Sequence, residues 1–420
     1  MNLERGSSRI APPFNQTIGR VKTGDPNPER CICDACALRI VGIRSDEKEH
    51  AALTLPSGYR LVPEDDDSCT VCGGLLKRLE PASRLPLAEL SAWEFSTFWV
   101  GTKVEFGLLA REQEVAADFG IVPARSIKVD INRRIGLLIA SATGKEARLE
   151  NPDMLIIIDI AFLAFELEPA PLFIYGRYTK LARGIPQTKW PCRKCHGKGC
   201  SYCDFKGRMY ETSVEEIVAA PAMRTASAAS HSFHGMGRED IDALMLGEGR
   251  PFILQLDRPH RRSFSLTILC EQINIEGEGI VHVSDLRFSN REEVRNLKAA
   301  APHKAYVARF TTLGKVNKEK LVEVLSRLSG TTLSQRTPLR VAHRRADLVR
   351  MRTIVECRLL EYDGQTASVE IIAESGTYIK EFVTGDGGRT VPSISESLGT
   401  GCTVISLDVM KIETGAGDAW

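Results

Sequence analysis

Eight of the twelve cysteines stand in four Cys-x-x-Cys pairs, Cys33/Cys36, Cys69/Cys72, Cys192/Cys195 and Cys200/Cys203, and no other feature limits the fold so tightly. A two-residue spacer turns backbone amides towards both sulfurs, so two such pairs close a tetrahedral four-thiolate site. In a reducing compartment this spacing points to metal rather than to disulfides. A helical segment expected from Ala37 to Ala52 brings the first two pairs together, and Cys31 is an alternative to Cys33 at a poorer spacing. The last two pairs have only His196-Gly197-Lys198-Gly199 between them, a knuckle that buries too little to stay ordered without metal. Two structural zinc ions are therefore expected, each with a filled set of ligands and no open position.

A chain of 420 residues has room for two to four domains. The formal charge of +1 excludes a uniformly basic nucleic-acid coat but not local basic patches. No apolar run approaches the ~20 residues of a membrane span, and the N-terminus lacks a signal-peptide core. A soluble, cytoplasmic protein with no membrane contact is the expectation.

Residues 1–28 read as a flexible arm with weak RNA contact through Arg5, Arg9, Arg20 and Lys22, and 29–80 as a zinc-binding module. From 81 to 185 the pattern is mixed α/β. It contains a strand at Phe95–Lys103, a helix at Ser126–Ser141, two strands within Met154–Leu167 and another at Leu172–Tyr175. The helix carries Ile127, Val129, Ile131, Ile135 and Ile139 as its apolar residues, and Gly144 closes it. Helices against a small sheet, followed by the basic exit GRYTKLARGIPQTKW, resemble a THUMP domain, a family that grips RNA, typically at the acceptor end of tRNA. From Arg177 to Arg208 nine Lys or Arg stand against one acid, Asp204, with Trp190 and Tyr202 among them. On a metal-stapled loop that composition suits phosphate contacts with base stacking.

Residues 186–420, including the knuckle at 190–210, read as a larger α+β domain. A capping box at Ser213-Val-Glu-Glu216 opens a helix to about Met223. The stretch His231–Asp257 then gives a turn, Gly237-Arg238-Glu239-Asp240, a further carboxylate at Asp242, a loop around Gly247 and Gly249, and a short strand from Pro251 to Leu256. Arg238 beside the two acids suggests a buried ion-pair cluster that keeps one carboxylate ionised and aimed. On residues alone, a cap or a surface loop is the leading explanation of such a turn. Strands at Ile280–Val283 and Lys304–Phe310 alternate with helices at Arg291–Ala300 and Lys318–Leu328. Six arginines between Gln335 and Arg352 read as an RNA-backbone clamp entering two strands, Ile354–Glu361 and Gln365–Ala373. A helix with Tyr378 and Lys380, a Gly-Asp-Gly-Gly turn, a short helix and a closing strand end the chain.

Three segments, GREDID at 237–242, HKAYVARF at 303–310 and SGTYIKEFVTGDGGRT at 375–390, together resemble the pseudouridine synthases of the Pus-ten type, in particular the archaeal form. The cysteine pairs and the basic exit match the same family, so the likeness spans roughly residues 30–415. The resemblance implies a mixed, largely antiparallel catalytic sheet with helices, preceded by THUMP-like and zinc modules. It implies isomerisation of uridine to pseudouridine in the TΨC loop of tRNA, at uridine 55 and also uridine 54. By motif position Asp240 is the catalytic aspartate, and Tyr306, Tyr378, Arg238 and Lys380 contact substrate. No organic cofactor and no obligate protein partner are implied. Leu244 stands where the family leads one to expect an arginine.

The reaction explains these residue types. A carboxylate can add to the sugar or stabilise its cation, a tyrosine can hold the detached base, and the target must first leave its stack. Two rivals stand beside this reading. One is a non-catalytic zinc-knuckle RNA-binding protein or chaperone. The other is a glycosidase-like hydrolase with Asp240 and Asp242 as its acid pair, close together for flanking one bond.

Overall fold

A computed structural model describes residues 30–43 and 54–413, with the side chains of residues 343 and 344 excepted. The arm expected at 1–28 lies outside these residues. The chain forms two compact units, Met1–Glu168 and Pro169–Trp420.

In the first unit β1 (Arg30–Cys33) runs into α1 (Asp34–Ile40), and β2 (Tyr59–Val62) pairs with β1 in parallel. The helix expected from Ala37 to Ala52 thus starts earlier and ends at Ile40, where residues 41 and 42 turn the chain; residues 44–52 lie outside the described set. Two short helices follow, α2 (Leu79–Arg84) and α3 (Leu87–Leu90). Next come β3 (Thr97–Lys103), α4 (Phe106–Asp118), α5 (Ile127–Thr143), β4 (Glu146–Ala147), β5 (Met154–Asp159) and β6 (Ala164–Pro169). Their strands form one sheet in the order β4-β3-β5-β6. Ser126 caps α5 by accepting from the Lys128 amide, and Gly144 ends it in the left-handed region. Ile127, Ile131, Ile135 and Ile139 are fully buried at a spacing of four, each contributing roughly 1.5–3 kcal/mol. Val129, counted on the same apolar side, is 55% exposed, because two residues along a helix is the opposite face.

The second unit opens with β7 (Leu172–Lys180), which runs past the expected Tyr175 and joins the large sheet. The boundary expected near residue 185 therefore falls at Glu168/Pro169. Then follow α6 (Val214–Ala226), β8 (Ser230–Gly235), β9 (Leu244–Asp257), α7 (Leu266–Glu276), β10 (Val281–Ser289), α8 (Arg291–Ala299), β11 (Lys304–Thr312) and α9 (Lys318–Leu328). The chain continues through β12 (Thr332–Arg336), β13 (Val349–Tyr362), β14 (Thr366–Ala373), α10 (Ile379–Thr384), β15 (Thr390–Val391), α11 (Ile394–Leu398) and β16 (Cys402–Ile412). Among the described residues the sheet has ten strands, in the order β10-β7-β9-β16-β11-β14-β13-β12-β15 with β8 paired to β9. Neighbours run antiparallel except β9 and β16. The fold class is α+β, as the sequence implied.

Two sequence expectations change here. Gly247 and Gly249 lie inside β9, not in a loop before it. They form a bulge at which the register with β7 shifts, from Tyr178 opposite Arg250 to Lys180 opposite Met245. Both have positive φ, and a Cβ would stand 2.1 Å from the Met410 carbonyl oxygen at Gly247 and 2.7 Å from that of Tyr178 at Gly249. The strand expected from Ile354 also begins earlier, at Val349, within the arginine-rich segment. The two ends of that segment are β12 and the start of β13, paired antiparallel, with a 3-10 helix, Leu339–Arg344, between them.

Candidate active site

Sheet register assembles the site. Tyr306 of β11 faces Val409 of β16, and Val409 faces Met245 at the start of β9, directly after the GREDID turn. Lys304 at the start of β11 faces Ala373, the last residue of β14, so the segment leading to Tyr378 and Lys380 leaves the sheet at the same end.

The turn between β8 and β9 is held by its carbonyls. Arg250 donates to Met236 O at 2.8 Å, Gln187 to Gly237 O at 2.9 Å, and Lys180 to Asp240 O at 3.2 Å and Ile241 O at 3.1 Å. The anchor beneath is Glu239, whose carboxylate accepts from Tyr178 OH at 2.9 Å and Arg250 Nε at 2.9 Å and lies 3.9 Å from Lys180 Nζ. All four side chains are buried, Arg250 at 1% exposure. Burial pushes the Lys180 pKa down and the Tyr178 pKa well up. For Arg250 burial works against the charge, and Glu239 with Tyr178 and Tyr306 together more than offset it. The expected ion-pair cluster exists, but its arginine is Arg250; Arg238 is exposed. Arg250 escaped the sequence reading because it sits between Gly249 and Pro251, in what read as a loop. Lys180 could have been found, since period two along β7 sets it on the face of Tyr178.

Fixed in this way, Asp240 presents a carboxylate about one-third exposed (32%) to two cations. Arg340 Nη1 lies 3.2 Å from its Oδ2, and Lys380 Nζ lies 3.4 Å from the same oxygen. Lys380 also holds Asp242 at 2.8 Å; burial alone would raise the Asp242 carboxyl, yet the ammonium holds it below the usual range. Arg340 is itself gripped by Glu381, which is 4% exposed, at 2.6 Å and 3.4 Å. The loop carrying Arg340 is pinned by Arg336 and Arg389 on Asp347, and by the Leu339 amide on Asp386 of the Gly-Asp-Gly-Gly turn. Arg340 was not singled out among the six arginines, because charge alone does not say which one faces inward.

Asp240 stands between two adjoining cavities. The larger, ≈ 460 Å³, is lined by Asp240, Lys304, Tyr306, Arg345, Tyr378 and Lys380 among others. Burial pushes the Tyr306 hydroxyl up to about 12. Tyr378 caps α10; Gln335 bonds its backbone on both sides, and Arg345 donates to its hydroxyl at 3.2 Å. Lys304 is 7% exposed, and burial, with the charge of Arg250, pushes its pKa down to about 8. The smaller cavity, ≈ 190 Å³, shares Arg238, Asp240, Arg340 and Lys380 and extends to Trp190 of the knuckle. At Leu244, where an arginine was expected, the amide donates to Asp408, and Arg183 supplies the cation on that carboxylate.

Both cysteine groups come together, each with its ligand atoms within 4.8 Å of one another. Sulfur separations of 3.8 Å for Cys33–Cys72 and Cys195–Cys203, and 3.9 Å for Cys192–Cys200, fit the edge of a tetrahedron with ~2.3 Å bonds, about 3.8 Å. Amides of Cys33, Gly199 and Gly207 donate to sulfurs, as thiolates require. Both sets are placed to hold a metal ion. Cys31 is outside the first set and meets Arg60 instead.

The basic segment is less open than its charge implied. Arg177, Arg183, Lys189, Lys206 and Arg208 pair with Glu248, Asp408, Glu216, Glu211 and Glu216 respectively. Arg193, Lys194 and Lys198 are exposed, the first two beside the rings of Trp190 and Tyr202.

Comparison with known proteins gives two family matches, "Pus10, C-terminal" over residues 173–413 and "Pus10 THUMP domain, archaeal" over residues 86–159. Among similar proteins, the "tRNA pseudouridine synthase Pus10" of Methanothrix thermoacetophila is 44% identical over 410 residues, spanning 95% of this chain and 90% of that protein. Its namesake from Archaeoglobus fulgidus is 42% identical over 346 residues, 82% of this chain and 95% of that one. The protein of that name from Thermofilum pendens is 38% identical over 424 residues, with 92% and 93% covered.

Proposed function

The chain belongs to the Pus10 family of tRNA pseudouridine synthases, and from that premise we propose that it isomerises uridine 55, and also uridine 54, in the TΨC loop of tRNA, with Asp240 as the catalytic residue. The observation that carries this is the backbone-locked turn that offers the Asp240 carboxylate, between Arg340 and Lys380, to a cavity walled by Tyr306 and Tyr378. The target uridine leaves its stack and enters the larger cavity. Asp240 acts at the sugar carbon as the nitrogen–carbon bond breaks, and the base turns and rejoins through a ring carbon; that carbon gives up its proton and the freed ring nitrogen ends with one, so composition is unchanged. Tyr306 lies against the base. With its pKa near 12 it stays protonated at neutral pH, which suits a hydrogen-bond donor to the loose uracil more than a proton abstractor. Tyr378, Lys380 and the exposed Arg238 contact the nucleotide and its phosphates. Zinc occupies both cysteine sets and holds their loops in shape, and no step of the isomerisation uses it. The hydrolase alternative is disfavoured because Asp240 and Asp242 share one ammonium, that of Lys380, instead of facing each other across a bond.

The test is to incubate purified protein with unmodified tRNA transcript and map pseudouridine. Product at positions 55 and 54 is expected. No product, or product only outside the TΨC loop, would overturn the reading.

A further inference from the structure

The reading above fills only the larger cavity. The smaller one shares Asp240, Arg340 and Lys380 with it and adds Pro186, Thr188 and Trp190. Trp190 is held with care. Its carbonyl accepts from the Met209 amide at 3.0 Å, and Pro191 bridges to Arg208 across the base of the knuckle. Its ring and that of Tyr210 meet nearly at right angles, 5.6 Å apart, and the Arg193 guanidinium lies over one side of it, 6.0 Å from its centre. The two ends of the cysteine knuckle, with Tyr210 and Arg193, thus hold one indole in the wall of the cavity that Asp240 also lines.

Resting on the tRNA reading, we infer that the smaller cavity is a second nucleotide subsite, in which the base flanking the target uridine stacks on Trp190. When a uridine is extruded, the base beside it loses a stacking partner, and a rigid aromatic wall one nucleotide away replaces that partner. A base stacks on an aromatic ring whatever its identity, so the subsite holds the strand in register without reading sequence. Arg193 beside the same ring adds a positive charge where the backbone passes. The knuckle, which contributes no group to the reaction, thereby acquires a role: it positions Trp190 beside Asp240.

The experiment is a cycle of two variants and three RNAs. Parent, Trp190→Ala and Trp190→Phe are assayed on intact transcript and on transcripts with an abasic nucleotide immediately 5′ or 3′ of the target. Trp190→Ala should lower kcat/KM roughly ten-fold or more, the scale of one base–aromatic stack, while Trp190→Phe keeps most of it. An abasic nucleotide at one flank should cost the parent as much, and Trp190→Ala should lose nothing further on that RNA. Equal rates for Trp190→Ala and parent on intact RNA, or a Trp190→Ala loss undiminished on both abasic RNAs, would overturn the subsite. Unchanged metal content and melting temperature separate a lost stack from a collapsed knuckle. The same cycle run on tRNA Kd reads the stack without chemistry. Absence of pseudouridine with the parent would therefore count against the proposed reaction, while the Kd cycle would still decide the subsite.

Discussion

Asp240 owes its position to its neighbours, one of which is itself held from behind. Glu381 grips Arg340, and Arg340 reaches Asp240. Charge-assisted hydrogen bonds of this kind are worth ~1.5–3 kcal/mol, so Glu381→Gln should slow single-turnover pseudouridine formation on the order of ten-fold or more, with tRNA Kd nearly unchanged. An unchanged rate would show that Arg340 needs no anchor. Lys304 gives a second prediction, with a definite sign. Its folded pKa of about 8 lies below the ~10.4 of an unfolded lysine, so between those values the unfolded chain holds a proton that the folded one has lost. Stability from this group therefore rises with pH across that window, and the burden of burying the charge is full below about pH 8. Lys304→Met should be more stable than the parent near pH 7, by a margin that shrinks towards pH 10 in denaturant titrations. A margin independent of pH would contradict this. At this scale the sequence marked Asp240, Tyr306, Tyr378 and Lys380 through motifs. It missed Arg250 and Arg340, whose partners lie on other elements: Glu239 is close in sequence but across a bulge, and Glu381 is in a different helix.

Elements with their own local signals were legible, and those shaped by neighbours were not. The helix expected at Lys318–Leu328 is α9 to the residue, because Asn317 caps it and its apolar stripe repeats with the helical turn. The strand expected from Ile354 begins earlier because pairing with β12 extends β13 back to Val349, and that ladder leaves no local trace. β9 was misread because glycines signal a loop in isolation, whereas here they relieve contacts with the Tyr178 and Met410 carbonyls. Gly249→Ala should therefore destabilise the second unit by about 1–3 kcal/mol, from the positive φ and the close carbonyl together. Thermal melting would read it, and an unchanged midpoint would mean that the bulge tolerates a side chain. Because Arg250 follows the bulge directly and holds the turn that carries Asp240, the same variant should lose activity before it loses fold.

Across the whole molecule, the first unit carries the archaeal THUMP match and the second the C-terminal match, and each contains one cysteine set. The boundary at Glu168 escaped the sequence reading because β7 is as apolar as the strands before it, and only pairing assigns it to the larger sheet. Elemental analysis of carefully purified native protein should return two zinc ions per chain; one or none would contradict a metal in each cysteine set. If the locked turn serves to aim one carboxylate, Asp240→Asn and Asp242→Asn should part company on unmodified tRNA transcript when pseudouridine is mapped and tRNA Kd is measured for each. Asp240→Asn should give no detectable product with binding nearly intact, and Asp242→Asn substantial product. Pseudouridine at the parent's rate from Asp240→Asn, or its loss from Asp242→Asn alone, would contradict that role for the turn.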